Sequence, residues 1–290
     1  MNYRHAYHAG NFADVFKHVL LSRMLVYLMK KEAGFRFIDT HAGIGLYDLG
    51  AGEAARTGEW RGGIGRLGDL AGHALLKPWL EAVGPRDGAG RPSLYPGSPA
   101  LAQHLLRAQD RMSLFEMHPA DARSLAGNIG HDKRVRIGAV DGYAGLNGLA
   151  PPIEKRGLVL IDPPFEATDE FARIEAALAK AHAKWPIGVY ALWFPVKGAG
   201  VQGFCRRLAA SGIKRMLRLE IAVGGDAALS ACGMIVVNPP FALEAEAREL
   251  LPLLAGPCRL GRGAAGLRNG WRASSCHAAR RPNQRLTLAA

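Results

Sequence analysis

From Phe12 to Met29 the apolar positions recur at a helical spacing, with Phe12, Val15, Phe16, Val19 and Leu20 in phase and Asn11 before them as an N-cap. The spacing predicts an amphipathic helix that Gly34 ends. The period then changes: Phe35-Arg36-Phe37-Ile38 is a short, wholly apolar-flanked run of the kind found in a buried strand, and it leads into Asp39-Thr40-His41-Ala42-Gly43-Ile44-Gly45. Short apolar runs at Met112–Glu116, Val135–Ile137 and Leu158–Ile161 predict further strands, with helices at Pro119–Asn128 and Thr168–Ala183 between the later ones. Strands alternating with helices imply a mostly parallel sheet covered on both faces, an α/β fold. Two more strand-like runs, Gly188–Pro195 and Arg215–Val223, flank a helix at Val201–Ser211, and Ala231–Val237 is a last strand. The link Gly224–Ser230 is too short for a crossover helix, so this last strand is expected to run antiparallel to its predecessor.

Residues 50–110 break the alternation. They hold helical pieces, a Pro/Gly/Arg-rich loop at Gly84–Pro92 and the turn Tyr95-Pro96-Gly97-Ser98-Pro99, and are expected to form a small helical insertion at the carboxyl edge of the sheet. A chain of 290 residues with 49% apolar and 21% charged residues has ample material for a core, which excludes collagen-like, disordered and disulfide-scaffold classes. No uncharged apolar run has the length of a membrane span, and Arg4, Asp14 and Lys17 interrupt any secretory h-region. Four cysteines without a C-x-x-C pair give neither a zinc knuckle nor a disulfide frame, and Cys205 and Cys232 fall at core or helix positions. A cytoplasmic globular protein is the expectation.

Net charge sharpens this picture. The formal +12 favours a polyanionic partner, yet seven of the 37 basic residues lie after Glu249, where no acid occurs, leaving +5 on the first 249 residues. The acid-free stretch 255–290 is read as a basic tail, either a phosphate-binding extension or a terminus without function.

In an open α/β sheet, ligands bind beyond the carboxyl ends of the strands. There the chain places Gly43 and Gly45, a cofactor loop or a structural turn; Glu116, an acceptor for a ribose diol or a solvated strand-end acid; and Asp141-Gly142, an acceptor for an adenine amine or an Asp-Gly turn. Asp162-Pro163-Pro164-Phe165 after the fourth strand is the sharper signal. Two prolines fix φ and remove donors, so the Asp162 carboxylate and the Pro163 carbonyl form a rigid pair of acceptors for an amino group, and Phe165 offers a face for a base. A second tetrapeptide, Asn238-Pro239-Pro240-Phe241, fits the same pattern, but it follows the antiparallel strand and is expected at the opposite edge, as a structural exit from the sheet.

The acid-Pro-Pro-aromatic sequence resembles the fourth motif of S-adenosylmethionine-dependent adenine-N6 methyltransferases. Tyr3-Arg4-His5-Ala6-Tyr7-His8-Ala9-Gly10-Asn11, with Ala13-Asp14-Val15 and Lys17-His18, is similar to the start of the RlmJ family, as are Asp39–Gly43, Tyr95–Pro99 and Tyr190-Ala191-Leu192-Trp193. These motifs run in unbroken order from Tyr3 to about Leu254, and the resemblance fades near Ala255; it implies a methyltransferase domain over residues 1–254 in which the segment 1–34 contacts cofactor and substrate. It implies a Rossmann-like class I methyltransferase that modifies the N6 of one adenine in 23S ribosomal RNA. It further implies Asp162 as the catalytic residue, and His18, His41, Ser98, Glu116, Asp141, Gly142 and Asp162 around S-adenosylmethionine. Tyr3 and Phe165 would contact substrate, with Lys17 and Asn11 as neighbours. No metal, no membrane and a monomer are expected. His5, His8, His18 and His41 with Asp14 raise a metal reading, which a leader without cysteines supports weakly. The rivals are a DNA adenine or cytosine methyltransferase, a dinucleotide oxidoreductase lacking its third glycine after Gly45, and a non-catalytic RNA-binding protein. Acting on a base requires taking it out of its stack, so unstructured or protein-free RNA is the expected substrate.

Overall fold

The computed structural model describes residues 5–70, 72–198, 200–223 and 229–258. Helix α1 (Phe12–Met29) begins as expected at Asn11, whose side chain accepts from the N–H groups of Ala13 and Asp14. It is followed by β1 (Arg36–Asp39), β2 (Leu46–Tyr47), α2 (Gly52–Thr57), α3 (Lys77–Val83), β3 (Tyr95–Pro96), α4 (Ser98–Leu105) and β4 (Arg111–Phe115). The second half runs α5 (Pro119–Ile129), β5 (Val135–Gly138), α6 (Gly142–Leu149), β6 (Gly157–Ile161), α7 (Glu170–Lys184), β7 (Val189–Pro195), α8 (Gly200–Ala210), β8 (Met216–Ala222), β9 (Ala231–Val237) and α9 (Leu243–Cys258).

Among the described residues the main sheet has seven strands in the order β5-β4-β1-β6-β7-β9-β8. All pairings are parallel except those of β9, which runs antiparallel to both β7 and β8. The antiparallel last strand is therefore present, inserted between β7 and the edge strand β8. Because the chain winds outward from β1 and then returns to β6 beside it, the strand order reverses between β1 and β6, where such sheets open their binding crevice.

Alternation along each strand feeds two cores. Phe37, Leu158, Leu160 and Ala191 face α1, α4, α5 and α9, whereas Ile38, Val159, Ile161 and Leu192 face α6, α7 and α8. Helix α1 departs from expectation. Every residue from Phe12 to Leu25 is buried, including Asp14, Lys17, His18, Ser22 and Arg23, so it is a central helix without a solvated face. Such a helix must satisfy its polar groups internally: Arg23 forms a two-pronged pair with Glu246 of α9 at 2.9 Å.

The inserted stretch is closed by β2 and β3, which pair antiparallel at its base. Between them lie α2, three short 3-10 turns and α3; α4, also within residues 50–110, packs on the sheet between β1 and β4 as the first crossover helix. Helix α9 continues past residue 254 to Cys258, and the basic residues from 259 on lie outside the described residues.

Candidate active site

The carboxyl ends of β1, β4 and β6 open onto a cavity of about 160 Å³. Gly43, at φ 61°, lets the chain after β1 double back so that its N–H donates to Glu116 Oε2 at 2.9 Å; the N–H of His118 donates to Oε1 at the same distance. Both Glu116 oxygens are thereby aimed, each with a lone pair left for a ligand. Asp141 caps α6 through the N–H of Ala144 at 2.9 Å and meets Arg173 Nη2 at 2.9 Å. Gly142 is required by contact: a Cβ there would lie 1.8 Å from the Thr40 carbonyl oxygen, so only glycine lets α6 start against the end of β1.

His18 sits at the floor of this cavity with no exposure, its Nδ1 on the Tyr95 hydroxyl at 2.9 Å and its Nε2 buried without a partner. Burial pushes its pKa down to about 3, against the opposing pull of Asp14. Burial likewise pushes His41 to about 4; its Nδ1 lies 2.8 Å from Thr40 Oγ1 and its ring meets Tyr143 edge-on. Both imidazoles are neutral near pH 7. Asp39 is fully buried at the end of β1, where it accepts from Ser98 Oγ at 2.6 Å and from the His41 N–H at 3.2 Å. Burial raises its pKa to about 6; the hydrogen bonds from Ser98 and His41 oppose the shift, and the Asp162 charge adds to it.

Asp162 joins this cavity to another. Its Oδ2 receives Lys17 Nζ from α1 at 2.5 Å, and the same ammonium lies 2.9 Å from Asp14 Oδ1. Asp14 Oδ2 in turn meets His5 Nε2 at 3.0 Å and the Gly10 N–H at 2.9 Å. Burial alone would strip the charge from Lys17, but the Asp14 and Asp162 carboxylates hold its pKa well above the ordinary value. After the two prolines, Phe165 is held at φ 53°, a backbone state that costs a residue with a side chain about 1–3 kcal/mol. Phe165 and Trp193 wall the second cavity, of about 600 Å³, which is also lined by Phe12, Glu59, Arg61, Pro195 and Lys197. His5, Lys17, Asp162 and Pro164 line both spaces. The two cavities adjoin end to end, with the Asp162 carboxylate at their junction.

Comparison with known proteins places the chain in a family. A family model described as ribosomal RNA large subunit methyltransferase D, RlmJ, matches residues 32–273. The chain belongs to this family. Ribosomal RNA large subunit methyltransferase J of Escherichia coli strain K12 is 40% identical over 261 residues, covering 88% of this chain and 92% of the relative. The Haemophilus influenzae protein of the same name is 39% identical over 260 residues with the same coverage. A crystal structure of a Legionella pneumophila protein superimposes with a TM-score of 0.78 at 34% identity, over 85% of this chain and 92% of that one. The Rossmann-like reading of the sheet stands with these relatives, and the family match continues to residue 273, beyond Ala255 where the resemblance was read to fade.

Against the residues expected from the RlmJ resemblance, the structure gathers His18, His41 and Ser98 with Glu116, Asp141, Gly142 and Asp162 around the smaller cavity. Phe165 lies in the larger one, with Asn11, while Lys17 lines both. Tyr3 lies outside the described residues. Asn238 follows the end of β9, which pairs with the first residues of β7 and β8, and so sits at the opposite edge. The four leader and strand-end histidines take protein partners: His5 with Asp14, His8 with Glu59, His18 with Tyr95 and His41 with Thr40. No group of three or more metal-ligating side chains occurs among the described residues, and none of their helices is long and apolar enough to cross a membrane. Sequence reasoning missed Asp39, Glu59 and Trp193. Glu59 accepts from Asn11 Nδ2 at 3.0 Å and meets His8, tying the insertion to the leader. Nothing local in the sequence distinguishes Glu59 from Glu53 or Asp69 nearby.

Proposed function

We propose that this RlmJ-family protein transfers the methyl group of S-adenosylmethionine to the N6 amine of an adenine in 23S ribosomal RNA, acting on RNA stripped of protein. The observation that carries the reading is the pair of adjoining cavities that share Asp162, Lys17 and Pro164. The smaller cavity suits the methyl donor on its own chemistry: His18 Nε2 is a buried polar atom without a partner, and Glu116 offers two aimed acceptors for a diol. When bound, S-adenosylmethionine supplies an electrophilic methyl group on a positively charged sulfur.

The chain's own residues do the rest. Lys17 holds Asp162 Oδ2, which leaves Oδ1 to accept an N–H from the target amine while the Pro163 carbonyl accepts the other. Two acceptors turn the nitrogen lone pair toward the junction of the cavities. Once the new carbon–nitrogen bond forms, the nitrogen's surplus proton becomes acidic and leaves through Asp162. Holding two reactants in line supplies about 7–11 kcal/mol of the barrier reduction, so positioning carries most of the catalysis. Phe165 gives the extruded base a surface to replace its lost stacking.

The test is transfer of labelled methyl from S-adenosylmethionine to deproteinised large-subunit RNA, followed by nucleoside analysis. Labelled N6-methyladenosine is expected, with much less on intact subunits. Absence of labelled N6-methyladenosine from that RNA, or failure to bind S-adenosylmethionine in a calorimeter, overturns the reading.

A further inference from the structure

The larger cavity continues past Phe165. Its wall follows the end of β7 through Trp193 and Pro195 to Lys197, with Phe12 of α1, Leu229 and Arg61 of the insertion also lining it. The rings of Phe165 and Trp193 have centroids 5.8 Å apart and planes inclined at 62°. A flat base lying on Phe165 therefore meets the indole at a steep angle and cannot stack on both. The two aromatic faces serve two different planes.

Charge on this wall points the same way. The acids of the cavity are engaged within the protein: Asp14 with His5 and Lys17, Glu59 with His8 and Asn11, and Asp162 with Lys17. Lys197 is exposed at the mouth, and no acid pairs with it or with Arg61 among the described residues; Arg61 lies instead over the Trp60 ring, 5.0 Å from its centre. An unneutralised ammonium beside an aromatic wall is the chemistry of a nucleotide site, with a π-face for the base and a cation for the phosphate.

We propose that Trp193 and Lys197 form a second nucleotide subsite, in which the base adjoining the target adenine stacks on the indole and its phosphate meets the ammonium. The proposal rests on reading the Asp162–Phe165 end as the adenine pocket. Stacking accepts any base, so the subsite holds the backbone on one side of the extruded adenine and sets how far that adenine enters, without reading sequence.

The experiment uses the full chain and a fragment of large-subunit RNA that accepts methyl, made intact or with an abasic residue immediately 5′ or 3′ of the methylated adenine. With wild type, one of the two abasic RNAs is expected to lose about tenfold in kcat/KM, within the range of one base–aromatic stack. Trp193→Phe keeps a ring and is expected to keep that sensitivity. Trp193→Ala is expected to lose about tenfold on intact RNA and then to show no further loss on the abasic one. Lys197→Gln is expected to raise KM with kcat unchanged and to flatten the slope of log KM against log salt by about 0.7, one single-strand phosphate contact. Equal sensitivity of Trp193→Ala and wild type to the abasic residue overturns the subsite, as does indifference of wild type to both abasic RNAs. If wild type transfers no methyl even to intact RNA, the adenine reading itself fails and the subsite with it.

Discussion

Two tetrapeptides of the same chemical pattern, Asp162-Pro163-Pro164-Phe165 and Asn238-Pro239-Pro240-Phe241, end strands at opposite edges of one sheet. Each has a residue in the left-handed region, at φ 53° for Phe165 and φ 52° for Asn238. At the edge that carries the two cavities the aromatic bears the unusual conformation and its ring lines one of them; at the other edge the asparagine bears it and Phe241 is 91% exposed. Asparagine tolerates that backbone state better than most residues, and Asn238 Nδ2 donates to the carbonyls of Pro186 and Gly188, both at 2.8 Å. The second tetrapeptide is a stitch between loops. The first keeps its acid on Lys17 and presents it to solvent-accessible space. Strand direction decides which edge of the sheet each tetrapeptide occupies.

The largest effect that can break this contrast is in catalysis. Asp162→Asn is expected to lower kcat by about 100- to 1000-fold, the scale for removing one oriented polar group at a reacting centre. Because Lys17 retains Asp14 at 2.9 Å, the variant should still fold, which thermal unfolding checks. Asn238→Ala should do the reverse. It leaves two carbonyls without a donor and places Ala at positive φ, costing about 1–3 kcal/mol in denaturant unfolding while kcat stays within twofold. An inactive but stable Asn238→Ala protein would reverse the assignment of the two edges.

The buried titrating groups beside the first tetrapeptide give the next effect. His18 and His41 titrate at about 3 and about 4 when folded, against 6.5 when exposed. Between those values the unfolded chain binds more protons, so stability falls as pH drops below 6.5. Asp39, raised to about 6 from 3.8, acts with the opposite sign and offsets part of the loss. From pH 7 to pH 5 each histidine is expected to remove about 1–2 kcal/mol of unfolding free energy and Asp39 to return about 1 kcal/mol. His18→Gln should flatten the curve; an unchanged pH profile would show that burial of His18 is not the cause.

Much of the frame was legible in the chain because buried strands are short apolar runs and turn residues bound them. Ala231–Val237 matches β9 to the residue, and its direction followed from the shortness of the link before it. His41, Glu116, Asp141, Gly142 and Asp162 gathered at one rim because they follow the ends of strands, a position that topology assigns, whereas His18 reaches it from the middle of α1 and Ser98 from the start of α4. Contacts across long stretches of chain were not legible. Lys17 and Asp162 are separated by 145 positions, and nothing local in α1 distinguishes a buried lysine from a solvated one. Helix α1 looked amphipathic because selected apolar positions were in phase, whereas its polar side chains also point inward to specific partners such as Glu246. Helix α6 was hidden behind Asp141-Gly142, which reads equally as a turn, and α9 behind a composition that shades into the basic tail.

The smallest effects test the two phenylalanines. Phe241→Ala is expected to change unfolding free energy by less than about 0.5 kcal/mol, since its ring meets mostly water, and Phe241→Gly should differ from it by little more. Phe165 is different because its ring and its backbone make separable contributions. Phe165→Ala removes the ring and keeps a side chain at φ 53°, whereas Phe165→Gly removes the ring and the backbone penalty together. The glycine variant should therefore be the more stable of the pair by about 1 kcal/mol, although glycine ordinarily loses to alanine. Both should raise KM for RNA alike, because both lack the stacking face. If the alanine variant proved the more stable at position 165, no strain would be stored there. The difference between the two tetrapeptides would then rest on the acid and its lysine alone.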